Sequence, residues 1–126
     1  HKIVGMKTSA AEEVMGPNDR MQLANTERLL KLSINHQWLQ KGVSIQDPEF
    51  TYIAPQVEIG RDTTILPGTF LLGTTRIGPN CIIGPHSRII NSRIDEGTTV
   101  QFSQVEDTHL EPGQTIGPFT AISGGK

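Results

Sequence analysis

The chain has 126 residues, a formal net charge of −2 and one cysteine. A chain of this size holds one domain, or a domain with an appendage, and lies near the lower limit for burying a self-sufficient core, so partners are expected to contribute. Near-neutral charge without a basic run argues against nucleic-acid binding, which needs clustered Lys and Arg. No stretch approaches the roughly 18 consecutive apolar residues of a membrane span, and no secretory signal is apparent, so a cytoplasmic location is expected.

In chain order, Ile3, Val4 and Met6 suggest a short strand and Ala10 to Val14 a helical turn, stopped by Gly16 and Pro17. Asn18 or Asp19 can then cap a helix, with Asp19 and Gln22 at capping-box spacing and Gly42 as a C-terminal cap. One helix from about Asp19 to Lys41 follows, roughly 35 Å long at 1.5 Å per residue. Leu23, Leu30, Ile34 and Trp38 form one stripe, interrupted by Glu27, that reads as packing surface; Arg28, Lys31, Asn35 and Gln40 lie largely off it. Residues 43–52 read as a connector with an apolar pair, Val43 and Ile45, and an Asp47-Pro48 turn.

From Ile53 an aliphatic residue recurs at every sixth position: Ile53, Ile59, Ile65, Leu71, Ile77, Ile83, Ile89. Neither a helix nor a simple alternating strand has that period. Two positions before each aliphatic stands a slim residue (Thr51, Val57, Thr63, Thr69, Thr75, Cys81, Ser87), and glycines or prolines follow it. Alternate strand residues face the same way, so aliphatic and slim residue point inward together, and Gly and Pro suit a tight corner, glycine by tolerating positive φ. Three such hexapeptides make one turn of a triangular solenoid whose aliphatics stack in columns. After Ile89 the spacing slips to Ile94, Val100, Val105, Leu110, Ile116 and Ile122, so corners shorten but the coil continues. The predicted fold is mainly β: a parallel β-helix of about four coils over 53–122, preceded by one long α-helix.

Cys81 occupies an inward slim position and reads as a buried thiol of a reducing compartment rather than a nucleophile. A β-helix zinc site needs converging histidines, whereas His36 falls on the helix and His86 and His109 are isolated in the coils. His109 precedes Leu110 and should face solvent, and neither coil histidine has an orienting partner visible in the sequence.

Four stretches together carry a resemblance: Gly16-Pro17-Asn18-Asp19-Arg20 with Gln22-Leu23; Gly42-Val43-Ser44-Ile45 with Asp47-Pro48; Val57 to Asp62 with Pro67-Gly68-Thr69-Phe70; and Ile116-Gly117-Pro118-Phe119. In this ordered combination the chain resembles the bifunctional bacterial family that is both N-acetylglucosamine-1-phosphate uridyltransferase and glucosamine-1-phosphate acetyltransferase, which makes UDP-N-acetylglucosamine for the cell wall. The resemblance implies that the β-helix is left-handed and assembles as a homotrimer. It implies the middle of such an enzyme: 1–17 as the tail of a nucleotidyltransferase domain, 18–42 as a helical arm, 43–52 as a connector and 53–122 as β-helix coils. Sugar phosphates, UTP and acetyl-CoA are the parent's implied substrates.

Little catalytic equipment carries over. Asn18 matches the family's asparagine that helps hold Mg²⁺, and helix capping is its other reading. The family's phosphate-binding arginine, and the proline and glycine after it, are replaced here by Ser123, Gly124 and Gly125, and the resemblance assigns no catalytic residue to the chain. Two other readings stand beside this one: a free-standing hexapeptide enzyme, either an acyltransferase or a zinc carbonic anhydrase of the β-helix type, against which the scattered histidines count, and a purely structural trimerising module.

Overall fold

A computed structural model describes residues 16–124; the strand and helical turn read before Gly16 lie outside them. The chain divides into two compact units, one ending at Leu30 and the other running from Lys31 onward, and each is taken by itself. Helix α1 spans Pro17–Gln40. The strands are β1 (Ser44–Ile45), β2 (Thr51–Ile53), β3 (Glu58–Ile59), β4 (Thr64–Ile65), β5 (Thr69–Leu72), β6 (Arg76–Ile77) and β7 (Ile82–Ile83). They continue as β8 (Arg88–Ile90), β9 (Arg93–Ile94), β10 (Thr99–Val100), β11 (Ser103–Glu106), β12 (His109–Leu110), β13 (Thr115–Ile116) and β14 (Thr120–Ser123).

The start of α1 differs from the sequence reading. Pro17 is the first residue of the helix, ahead of the expected start at Asp19, where a missing N–H is harmless and φ is already helical. Gly16 is the cap: its carbonyl accepts from Arg20 N–H at 3.2 Å, and its own N–H donates to the Asp19 carboxylate. Asn18 and Asp19 therefore sit inside the first turn, where Asp19 complements the helix dipole. In this first unit Met21, Leu23, Leu29 and Leu30 are exposed.

The other end follows the expected cap. Gly42 holds φ of 94°, its N–H reaches Leu39 O, and Val43 N–H reaches Trp38 O, the paired bonds of a Schellman motif. Within the second unit, Ile34 and Trp38 of the apolar stripe pack on the core. Asn35, read as off the stripe, is fully buried. Its Nδ2 donates to Pro48 O at 2.9 Å and Thr51 O at 3.0 Å, fastening the helix end to the first turn of the solenoid. Replacing Asn35 with Ala leaves one buried and one partly buried carbonyl without that donor, so a loss of about 1–3 kcal/mol is expected; the urea midpoint of the variant measures it.

The strands stack as three parallel sheets: sheet A in the order β1-β4-β7-β10-β13, sheet B β14-β11-β8-β5-β2, and sheet C β12-β9-β6-β3. Neighbours in each sheet come from successive turns, as a parallel β-solenoid of a little under five turns requires. The stack begins earlier than the six-residue register indicated. Ser44 and Ile45 pair with Thr64 and Ile65, and Val43 and Ile45 are buried in the core. The register missed this rung because a 3-10 turn, Pro48–Phe50, lengthens the first corner.

Every aliphatic of the repeat from Ile53 to Leu110 is buried, and Ile116 and Ile122 are partly so. The slim residues do more than leave room. Thr63 Oγ1 donates to Gly78 O at 2.7 Å and accepts from Cys81 N–H; Thr75 Oγ1 donates to Leu72 O and accepts from Ser92 N–H. The chain continues through Ser92 to Thr108, and a parallel one runs from Ser87 through Ser103 to Thr120. Each hydroxyl thus satisfies backbone groups at a corner, which small size alone would not do.

At least one residue of nearly every corner holds positive φ. Between sheets C and A these are Asp62, Asn80, Gly97 and Gly113; between B and C they are Gly73, Asn91 and Asp107. Such residues tolerate that conformation. Between A and B they are Gly68, Gly84, His86, Phe102, Gly117 and Phe119.

Candidate functional site

The outward side chains of sheet C form a charged column. Glu58 pairs in register with Arg76, Arg76 with Arg93, and Arg93 with His109. Beside the column runs an open groove of about 690 Å³, walled by Trp38 and Lys41 at the helix end and by Arg76, Arg93, Asp95 and Glu96 on the solenoid. Lys41 Nζ lies 4.9 Å from the Trp38 ring centroid, a cation–π contact that holds the ammonium at the rim.

Within this column Asp95 is the hub. Its Oδ2 lies 2.8 Å from His109 Nε2, and its Oδ1 accepts from Arg93 Nε at 3.2 Å. The hydrogen bond to His109, followed by the charges of His109 and Arg93, holds the Asp95 carboxyl below its ordinary value. His109 therefore does have an orienting partner, contrary to the sequence reading. The two residues are fourteen apart, and only the pairing of Leu110 with Ile94 brings them together. An imidazole oriented by a carboxylate through one nitrogen can accept a proton at the other.

The sign of the pH effect follows from the depressed carboxyl. A group whose folded pKa lies below its unfolded value stabilises the native state above the unfolded pKa, near the ordinary 3.8, and loses that contribution as pH falls through the folded value. Urea midpoints from about pH 6 down to about pH 2 should therefore fall more for the wild-type chain than for Asp95→Asn, the two converging at the acid end. Parallel curves would show that Asp95 has no folded-state preference for its charge.

The remaining candidates are scattered. Cys81 is buried, with Sγ 3.2 Å from Asp95 O, and burial pushes its thiol above the usual range, which makes it a poor nucleophile at neutral pH. His36 is exposed on α1. His86 stands between Phe50 and Phe102, with ring centroids 5.9 and 5.7 Å away. Ser123 is exposed on β14, in register with Glu106. Gly125 lies outside the described residues.

Asn18 is exposed in the first turn of α1. Mg²⁺ takes an octahedral shell of carboxylates, phosphates and water. Among the described residues no three His, Cys, Asp or Glu side chains gather where they could hold a metal ion. One neutral amide oxygen does not supply such a shell, so the described residues do not fit Mg²⁺ by themselves.

Comparison with known proteins agrees with this geometry. The bacterial transferase hexapeptide family (six repeats) matches residues 56–91. The bifunctional protein GlmU of Halalkalibacterium halodurans is 44% identical over 121 residues, covering 96% of this chain and 27% of that protein. That of Caldanaerobacter subterraneus is 46% identical over 119 residues, covering 94% and 26%, and that of Synechococcus elongatus 41% over 122, covering 97% and 27%. The chain thus spans about a quarter of the length of these relatives. With hexapeptide turns, a long helix before them and this similarity along nearly its whole length, the chain is homologous to the GlmU family.

Proposed function

We propose that this chain is the arm and solenoid portion of an enzyme that makes UDP-N-acetylglucosamine, by acetyl transfer from acetyl-CoA to glucosamine-1-phosphate and then uridyl transfer from UTP. In this reading the solenoid winds left-handed, the protein is cytoplasmic, and the chain serves as a homotrimerising scaffold. The observation that carries it is the similarity over nearly the whole chain. Uridyl transfer depends on positioning phosphates and Mg²⁺, and of that equipment the chain offers Asn18 alone; no step through the metal follows from its residues. Acetyl transfer to a sugar phosphate needs a cation for the phosphate, and Ser123, where the family's arginine would be, is neutral.

Two measurements test this. Multi-angle light scattering should give a trimer at micromolar concentration, and a monomer throughout would sink the scaffold role. Incubation with glucosamine-1-phosphate and acetyl-CoA should release no free thiol, nor N-acetylglucosamine-1-phosphate with UTP and Mg²⁺ any pyrophosphate.

The Asp95–His109 contact favours a second reading, a hexapeptide acyltransferase that works with these residues alone. There His109 takes the proton of an acceptor amine while Asp95 fixes the ring. Thiol release from acetyl-CoA that survives repurification and is abolished in His109→Gln would establish it and overturn the scaffold proposal.

A further inference from the structure

The charged column of sheet C breaks a rule that the other two sheets keep. Residues paired in register on neighbouring strands lie about 4.8 Å apart, and like charges set directly beside each other are destabilising. In sheets A and B no outward register pair joins two charged residues. Sheet C sets Arg76 against Arg93, and Arg93 in turn against His109.

Neighbouring carboxylates meet only one edge of each guanidinium. Arg93 Nε donates to Asp95 at 3.2 Å, and Arg76 Nε lies 3.8 Å from Glu58, beyond hydrogen-bond reach. Both contacts are made at Nε, and among the described residues no acceptor meets the Nη atoms of either arginine. Both carboxylates line the groove on one flank of the column. The other flank, toward the corner between sheets B and C, holds a second opening of about 500 Å³, lined by the two arginines and His109 together with Thr74, Asn91 and Asp107. Asn91 Oδ1 is taken up by Thr74, accepting from its N–H at 3.0 Å and its hydroxyl at 3.4 Å, which leaves the amide Nδ2 as the donor open to a ligand. His109 Nε2 is already engaged by Asp95.

We infer that this second opening binds a phosphoryl dianion, as a phosphate monoester or inorganic phosphate, between Arg76 and Arg93. Two guanidinium forks one rung apart can each donate to a tetrahedral group whose oxygens share two charges, and an anion between them offsets the repulsion that the register imposes. A planar carboxylate, with one charge, fills one fork and leaves the other unmet. Asn91 Nδ2 adds a neutral donor, whereas Asp107 opposes the anion and limits how tightly it is held. The site depends neither on the proposed scaffold role nor on His109 acting as a base.

The experiment titrates the whole chain with inorganic phosphate, methyl phosphate and acetate in separate arms, following the arginine Nε–H signals by NMR. It is run at constant ionic strength and about pH 7.5, above the second phosphate pKa near 6. Saturable binding of phosphate with a dissociation constant of about 1–10 mM is expected, with acetate at least about tenfold weaker. Arg76→Gln and Arg93→Gln should each weaken phosphate about tenfold, while Arg88→Gln, which removes the same charge from sheet B, should change it by less than about twofold. Asp107→Asn should tighten it about threefold, since asparagine tolerates the φ of 49° held there. All four positions are exposed, so folding is not at risk, and circular dichroism checks it. Methyl phosphate bound as well as inorganic phosphate assigns an ester, and methyl phosphate bound far more weakly assigns the free ion; either upholds the site. No saturation by about 50 mM phosphate, acetate bound equally well, or a loss in Arg88→Gln as large as in Arg76→Gln overturns it.

Discussion

Replacing Ile77 with Asp is expected to unfold the solenoid as a whole, with a loss of about 4 kcal/mol or more. Ile77 is 4% exposed and stands in the sheet C column between Ile59 and Ile94. Its burial contributes roughly 1.5–3 kcal/mol, and an aspartate there must either bury a charge or take up a proton. A solenoid is held by its repeats and the interfaces between adjacent ones, so damage in the middle uncouples the turns on either side rather than fraying one end. A small domain has only about 5–15 kcal/mol in total, so the variant should lose its cooperative thermal transition. Ile77→Val, which removes one methyl, should cost about 0.5–1.5 kcal/mol and keep it. A melt of Ile77→Asp within a degree or two of wild type would mean that this column does not carry the core.

Much of this architecture is legible in the sequence because its determinants are local and periodic. Seven aliphatics at one spacing, each with a slim residue two places before, give three sheets without knowledge of any distant contact. The slip after Ile89 is legible too: Asn91 stands directly before Ser92, whereas Gly73 has Thr74 as well before Thr75. Asn91 folds back on the turn before it, its Oδ1 accepting from Thr74 N–H at 3.0 Å. What the sequence hides depends on which turn lies on which. Asn35 is polar and off the stripe, yet buried, because two carbonyls of the first turn happen to lie beneath it. The Asp95–His109 contact needs a register that changes once a corner shortens. The Gly16 cap was hidden by a general habit: Gly-Pro reads as a stop, although proline is as much at home starting a helix.

Gly60 exposes the same limit and yields the second large effect. From the sequence, the glycines directly after Ile59, Ile77 and Ile83 read as residues that suit a corner by tolerating positive φ, and Gly84, at 105°, is one. Gly60 and Gly78 are not among the positive-φ residues. Their reason is proximity. A Cβ on Gly60 would lie 2.5 Å from Pro79 N, 2.7 Å from Gly78 C and 2.8 Å from Pro79 Cα, all backbone atoms of the next turn that cannot swing aside. The turns are pinned there by Gly60 N–H donating to Ile77 O at 2.7 Å, so Gly60→Ala must break that bond or push two rungs apart. Overpacking of this kind costs about 1–3 kcal/mol where side chains can yield, and the upper end or beyond is expected where only backbone can. Gly113 provides the contrast: its φ is 78°, but an added Cβ meets nothing within 4 Å. Gly113→Ala should therefore show only the conformational penalty, about 1–2 kcal/mol. Urea unfolding of the two variants should place Gly60→Ala clearly below Gly113→Ala, although only Gly113 has the backbone angle usually blamed for such losses. The reverse order would show that rung spacing is soft, and that corner conformation rather than close stacking sets which positions must be glycine.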